Sequence, residues 1–217
     1  MIKLTKGVVP AVLTNNGAAW TNIVVEKVGR GEKPTETEKG RYRHSDIKAA
    51  LIAETHGKCA YCESKLRHIT YGDVEHVTPK SMDPSRWFDW TNLTLACDVC
   101  NTEKDDFVGD HETFIDPYAV DPEKHFWHMG PTIFPTPGSD AAVRTERLLK
   151  LNRPELVERR DARLRALLKH LDVIARVKDP ETQKILVADF LEETLSSKEF
   201  AALARSVAEK AGIAASG

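Results

Sequence analysis

The stretch "CAYCESKLRHITYGDVEHVTPKSMDPSRWFDWTNLTLACDVCNTEK", residues 59–104, holds all four cysteines of the chain in two C-x-x-C pairs. Each pair places two thiols on one side of a tight turn. Two such knuckles complete a tetrahedral site of four thiolates, the ligand set of structural zinc. A redox C-x-x-C needs only one pair, and four buried free thiols would not explain the spacing. An iron–sulfur cluster also accepts four thiolates, but the paired spacing points to Zn2+. Cys59, Cys62, Cys97 and Cys100 leave no open coordination position, so the expected zinc is structural. The 34 residues between the pairs become a loop closed by metal.

Inside that loop, residues 73–77 and 92–96 read as short strands, the first stopped by Pro79. The connection between them, "PKSMDPSRWFDWT", is irregular. A helix is expected from Asp98 through Asp105. Glu75 and His76 stand side by side in the first strand, and alternation points them to opposite faces. Asn92 opens the second strand, and Asn101 follows Cys100 directly. A hairpin packed on a helix would bring the strand and the helix start together.

Further out, "GAAWTNIVVEKVG" from Gly17 predicts a helix, and 29–41 reads as a polar loop or linker. "HSDIKAALIAETHGK" predicts a helix capped by Ser45, with Ile47, Ala50 and Leu51 on one face and Gly57 at its end. Residues 106–141 are rich in Pro, Gly and aromatics and predict an irregular wrap with a hairpin. From Ala141 the pattern is helical. Leu164, Leu167, Leu168 and Leu171 have amphipathic spacing. Asp179 and Pro180 fit an N-cap and first turn. Phe200, Leu203, Ala204 and Val207 mark a last helix ended by Gly212. Trp87, Trp90 and Trp127 are expected to pack on the knuckles, and His111 reads as a loop histidine.

The chain has 217 residues with a formal net charge of -2, so no global positive field announces a nucleic-acid partner. A local one is conceivable: residues 144–170 carry nine Lys/Arg against four Asp/Glu, either a phosphate-tracking surface or a solvated, ion-paired helix face. No apolar run approaches the roughly 20 residues of a spanning helix. The start of the chain does not read as a signal peptide. The expectation is a cytoplasmic protein with no membrane partner.

"CAYCE…DVEHVTPKS…NLTLACDVCNTEK" resembles an HNH endonuclease of the zinc-knuckle type. The resemblance implies an α+β, mostly α fold, built on a ββα-metal core stapled by the four-cysteine zinc site. The expected division is 1–43, an N-terminal helix and linker; 44–116, the nuclease core; and 117–217, an irregular wrap and C-terminal helical region. The resemblance makes His76 the general base, Glu75 and Asn101 ligands of a catalytic divalent cation, and Asn92 the brace of the histidine region. A neutral amide beside a carboxylate favours Mg2+ or Mn2+. Lys80 and Lys104 are candidate nucleic-acid contacts. With "MIKLTKG", "FIDP" and "LLKLNRPELVERR", the wider chain resembles the HNH subunit of Septu-type anti-phage systems, including retron-associated ones. That implies a defence role, a DNA substrate (RNA being possible) and an ABC/SMC-like ATPase partner. The competing readings are a non-catalytic zinc-stabilised module that binds nucleic acid or protein, and an RNA (tRNA) nuclease on the same fold.

Overall fold

The computed structural model describes residues 1–66, 72–107 and 113–213. His111 lies outside the described residues. Helix α1 (Ala11–Gly29) starts earlier than expected, directly after Pro10. Burial of Leu13 and Gly17 overrides the weak helix preference of the intervening "NNG". A Cβ on Gly17 would stand 3.8 Å from the Phe88 carbonyl oxygen, so the helix packs closely on the 84–88 turn there.

The expected linker contains a second helix, α2 (Glu36–Gly40). The Thr35 side chain accepts from the Glu38 amide while Glu38 accepts from the Thr35 amide, a reciprocal capping box. Arg41–Arg43 form a 3-10 turn that buries Tyr42. In α3 (Ser45–Glu54) the capping role falls to His44, whose Nδ1 accepts from the Asp46 amide, and Ser45 is the first helical residue. Gly57, at φ +69°, turns the chain into the first knuckle as expected.

Strand β1 (Asp73–His76) pairs antiparallel with β2 (Leu93–Ala96), Glu75 facing Thr94 and His76 facing Leu93. Gly72 leads into β1 at φ +65°, a left-handed conformation that favours glycine, and a Cβ there would fall 2.6 Å from Leu66 Cδ1. The Ala60 amide donates to the Leu95 carbonyl at 2.9 Å and ties the first knuckle to β2. The second knuckle opens α4 (Asp98–Lys104), with Cys97 as its N-cap. A hairpin follows, β3 (Phe126–Met129) and β4 (Thr132–Pro135), as the wrap predicts.

The C-terminal region is helical: α5 (Asp140–Leu148), α6 (Pro154–Arg176), α7 (Pro180–Glu192) and α8 (Ala201–Lys210). Asp179 caps α7 through the Thr182 amide. The buried line of α6 is Leu156, Arg160, Leu167 and Ile174; Leu168 is exposed, because α7 and α8 cover only one narrow side. The main core joins Leu13, Ile47, Leu51, Leu93, Leu95 and Leu151 with all four cysteines. The chain is mostly helical, with two small sheets among the described residues. No helix among them is long and apolar enough to cross a membrane.

The basic stretch 144–170 is not an open patch. Lys150 pairs with Glu103, Arg159 with Glu199, Arg163 with Glu193 and Arg165 with Asp161. Arg160 is buried and donates to the Leu151 and Pro131 carbonyls. The ion-paired helix face describes this segment better than a phosphate track. Trp87 and Trp90 join the cysteine-containing core, whereas Trp127 is 42% exposed and stacks on Phe134, on the outer face of the β3–β4 hairpin.

Candidate active site and metal centre

The ends of β1 and α4 and the 41–43 turn enclose a cleft of about 450 Å3. Tyr42, Arg43, Glu75, His76, Lys80 and Asn101 line it, with Asp105 and Asp106 at the end of α4. Strand alternation sends Glu75 and His76 to different neighbours, yet both reach this one cleft.

His76 Nε2 lies 3.0 Å from the Trp87 carbonyl oxygen, inside the core. A carbonyl only accepts, so Nε2 carries the hydrogen and Nδ1 is left with a lone pair. Tyr42 packs edge-on against the imidazole, ring centres 4.6 Å apart at 78°. Burial lowers the His76 pKa to about 3, with the Lys80, Lys104 and Arg43 charges acting in the same direction. The ring is therefore neutral at neutral pH and able to accept a proton, as a weaker base than a free imidazole.

Asn92 is buried and does not line the cleft. Its Oδ1 accepts from the Thr78 amide at 2.7 Å, and its Nδ2 donates to the Thr78 and Arg86 carbonyls at 3.0 and 3.1 Å. Trp87 Nε1 donates to the Lys80 carbonyl at 2.7 Å. These bonds hold the segment after β1 against the turn whose carbonyl fixes the His76 ring.

Glu75 is buried, and desolvation raises its carboxyl pKa against the pull of Lys104. Lys104 Nζ lies 2.9 Å from Glu75 Oε1 and donates to the His76 carbonyl at 3.0 Å. Apart from that ion pair, Oε1 has no hydrogen-bond partner among the described residues. Lys104 is 1% exposed, so it is not the surface cation that a phosphate contact implies. Asn101, on the first turn of α4, reaches Asp73 Oδ2 through Nδ2 at 3.2 Å. Lys80, at the rim, donates to the Tyr42 hydroxyl at 3.1 Å. A buried carboxylate oxygen with spare acceptor capacity and an amide on the same cleft fit a hard, oxygen-preferring cation.

The four cysteines converge. Their Sγ atoms all lie within 4.8 Å of one another, and the Cys62–Cys97 separation is 3.9 Å. A tetrahedron with Zn–S near 2.3 Å has edges of about 3.8 Å, so the cluster fits zinc. All four are buried. Tyr42, Arg43 and Arg153 gave no sequence signal for this site. They come from the polar 29–43 stretch and from the helix start after 150, and only tertiary packing brings them here.

A second buried histidine, His128, is also held down to about 3, by burial first and by positive neighbours including Arg160. Both imidazoles titrate near 6.5 when unfolded. The unfolded chain therefore binds more protons between about pH 6.5 and 3, and stability should fall as pH falls through that window. The expected slope is about 1.4 kcal/mol per pH unit for each ring, with none from these groups above about pH 7. Urea midpoints between pH 7.5 and 4.5 measure it, and His128→Gln should reduce the slope. A flat profile would contradict the burial argument.

The sequence model of the HNH endonuclease family matches residues 59–107. The Septu protein PtuB of Bacillus thuringiensis is 36% identical over 80 residues, covering 36% of this chain and 31% of that protein. The Septu protein PtuB of Bacillus mycoides (strain KBAB4) is 25% identical over 195 residues, covering 74% of this chain and 66% of that protein. The chain thus spans 31% to 66% of the length of these curated relatives. The order of the knuckles, the Glu-His strand and the Asn-bearing helix coincides with the matched span: residues 59–107 match the HNH endonuclease family model, in a chain similar to the Septu PtuB proteins.

Proposed function

We propose that the protein is a metal-dependent endonuclease that hydrolyses phosphodiester bonds, of DNA in the first place. In this reading it is the effector of an anti-phage defence complex with an ABC/SMC-like ATPase. The observation that carries the chemistry is the His76 ring at the cleft, tied through Nε2 to the Trp87 carbonyl, a bond that leaves the Nδ1 lone pair unused. Nδ1 takes a proton from water as the water oxygen attacks phosphorus, the bond from phosphorus to the leaving sugar oxygen breaks, and that oxygen takes its proton from solvent. The Trp87 carbonyl then faces an Nε2–H that becomes more acidic, and their hydrogen bond strengthens as the ring gains charge. Tyr42 restricts ring rotation. Lys80 and Arg43 offer positive charge at the rim, and Lys104 compensates the buried Glu75. Mg2+ or Mn2+ held by Glu75 and Asn101 would supply charge stabilisation at the leaving oxygen.

A module that only binds nucleic acid or protein would need the cysteines but not an oriented imidazole beside a buried carboxylate. The test uses the protein alone and together with its neighbouring ATPase. Plasmid DNA and total tRNA are incubated with Mg2+, Mn2+ or EDTA. Cleavage of DNA that EDTA abolishes is expected. Cleavage confined to tRNA would move the substrate to RNA, and cleavage that persists in EDTA would contradict the metal-dependent mechanism.

A further inference from the structure

Arg153 is the N-cap residue of α6, far along the chain from the knuckles. Its Nη1 lies 3.8 Å from Cys100 Sγ, and its Nη2 lies 3.8 Å from Cys97 Sγ and 3.9 Å from Cys100 Sγ. The guanidinium fork therefore spans both thiols of the second knuckle. Nη1 also donates to the Leu149 and Lys150 carbonyls, at 3.2 and 3.4 Å, which fixes the fork from behind. Pro154 at the first helical position sets the direction in which the chain leaves. Leu149, Leu151 and Leu156 around it are buried.

From this geometry we infer that Arg153 is the counter-ion of the four-thiolate metal centre. It would hold the zinc in place and lock the C-terminal helices onto the nuclease core. The inference rests on zinc occupying the four cysteines. A divalent ion with four thiolates leaves two negative charges in a buried site. Buried charge is costly unless it is paired and hydrogen-bonded. Arginine suits that role because its planar fork can donate to two acceptors at once.

The surroundings show where such protection matters. A cleft of about 510 Å3 is lined by Leu66, Cys97, Val99, Arg153, Leu156 and Arg159, among others. Cys97 is the most accessible of the four cysteines, at 7% against 1%, 2% and 0% for Cys59, Cys62 and Cys100. A chelator or oxidant entering this cleft meets Cys97 first, and Arg153 stands on that thiolate.

The experiment compares wild type, Arg153→Gln, Arg153→Lys and Lys150→Gln as purified full chains. Lys150 carries a nearby charge, but its ammonium pairs with Glu103 and makes no contact with sulfur among the described bonds. Zinc affinity is measured by competition with a chromogenic chelator. The sulfur-to-cobalt charge-transfer band is recorded after cobalt substitution. Arg153→Gln should bind zinc about 10–100-fold more weakly, and its cobalt band should move to lower energy as the thiolates lose their donors. Arg153→Lys should fall between, and Lys150→Gln should match wild type. Wild-type affinity and an unmoved band in Arg153→Gln would overturn the inference while leaving the zinc centre intact. A wild-type protein that binds no metal on the four thiolates would overturn both. If Arg153→Gln does not fold, Arg153→Lys, which keeps the stem and the charge, decides: a shifted band supports the inference and an unshifted one overturns it.

Discussion

Cys100→Ser, or exhaustive removal of metal, is expected to unfold the ββα segment. Structural zinc contributes about 10–16 kcal/mol of apparent binding energy to small sites. A whole domain is stable by only about 5–15 kcal/mol. The four cysteines sit inside the main core with Leu93, Leu95 and Ile115, so loss of the metal leaves buried thiols repelling or unpaired where the two knuckles meet. The Cys97–Cys100 turn also starts α4, which carries Asn101 into the cleft and Lys104 against the buried Glu75. Part of the helical signal should survive, because Leu167, Ile174, Phe190, Ala204 and Ala208 form a separate cluster among α6, α7 and α8. Circular dichroism melts with zinc content measured on the same samples report this. A metal-free protein that melts at the wild-type temperature would contradict it.

The second large effect falls on chemistry and leaves the fold in place. His76→Ala should lower phosphodiester cleavage by about 10²–10⁴-fold, the usual worth of a positioned general base. Among the described residues the ring makes one hydrogen bond, to the Trp87 carbonyl, and one edge contact with Tyr42. Its removal leaves a single buried carbonyl short of a donor, so the variant should fold and retain its zinc. His76→Gln is a sharper probe. Its amide could still donate to the Trp87 carbonyl, yet it has no group able to accept a proton from water at neutral pH. It should be as inactive as the alanine variant while losing less stability, which separates the base from the brace.

The local chemistry of this chain was legible in the sequence, and the long-range packing was not. Two C-x-x-C pairs, a strand stopped by Pro79 and an Asp-Pro helix start are short-range signals, and the knuckles, β1, β2 and the start of α7 stand where they point. The missed α2 shows the opposite weighting. Thr35 and Glu38 form a capping box in plain view, but the glycines around them suggested a linker. Lys104 reads from the sequence as a nucleic-acid contact because its buried partner, Glu75, lies on another element. Tyr42 and Arg153 reach the site across long stretches of chain, and no periodicity encodes such contacts. Leu168 fits the amphipathic spacing, but exposure depends on how much of α6 its neighbours cover.

If one oriented imidazole in a zinc-stapled fold cuts nucleic acid, removing that imidazole alone must stop cleavage. Plasmid cleavage is measured for wild type and His76→Ala, with Mg2+ or Mn2+, with and without any ATPase encoded beside the protein, at matched zinc content. Cleavage by the wild type, and its loss in a variant that still carries zinc, is the expected result. Equal cleavage by both proteins would contradict it.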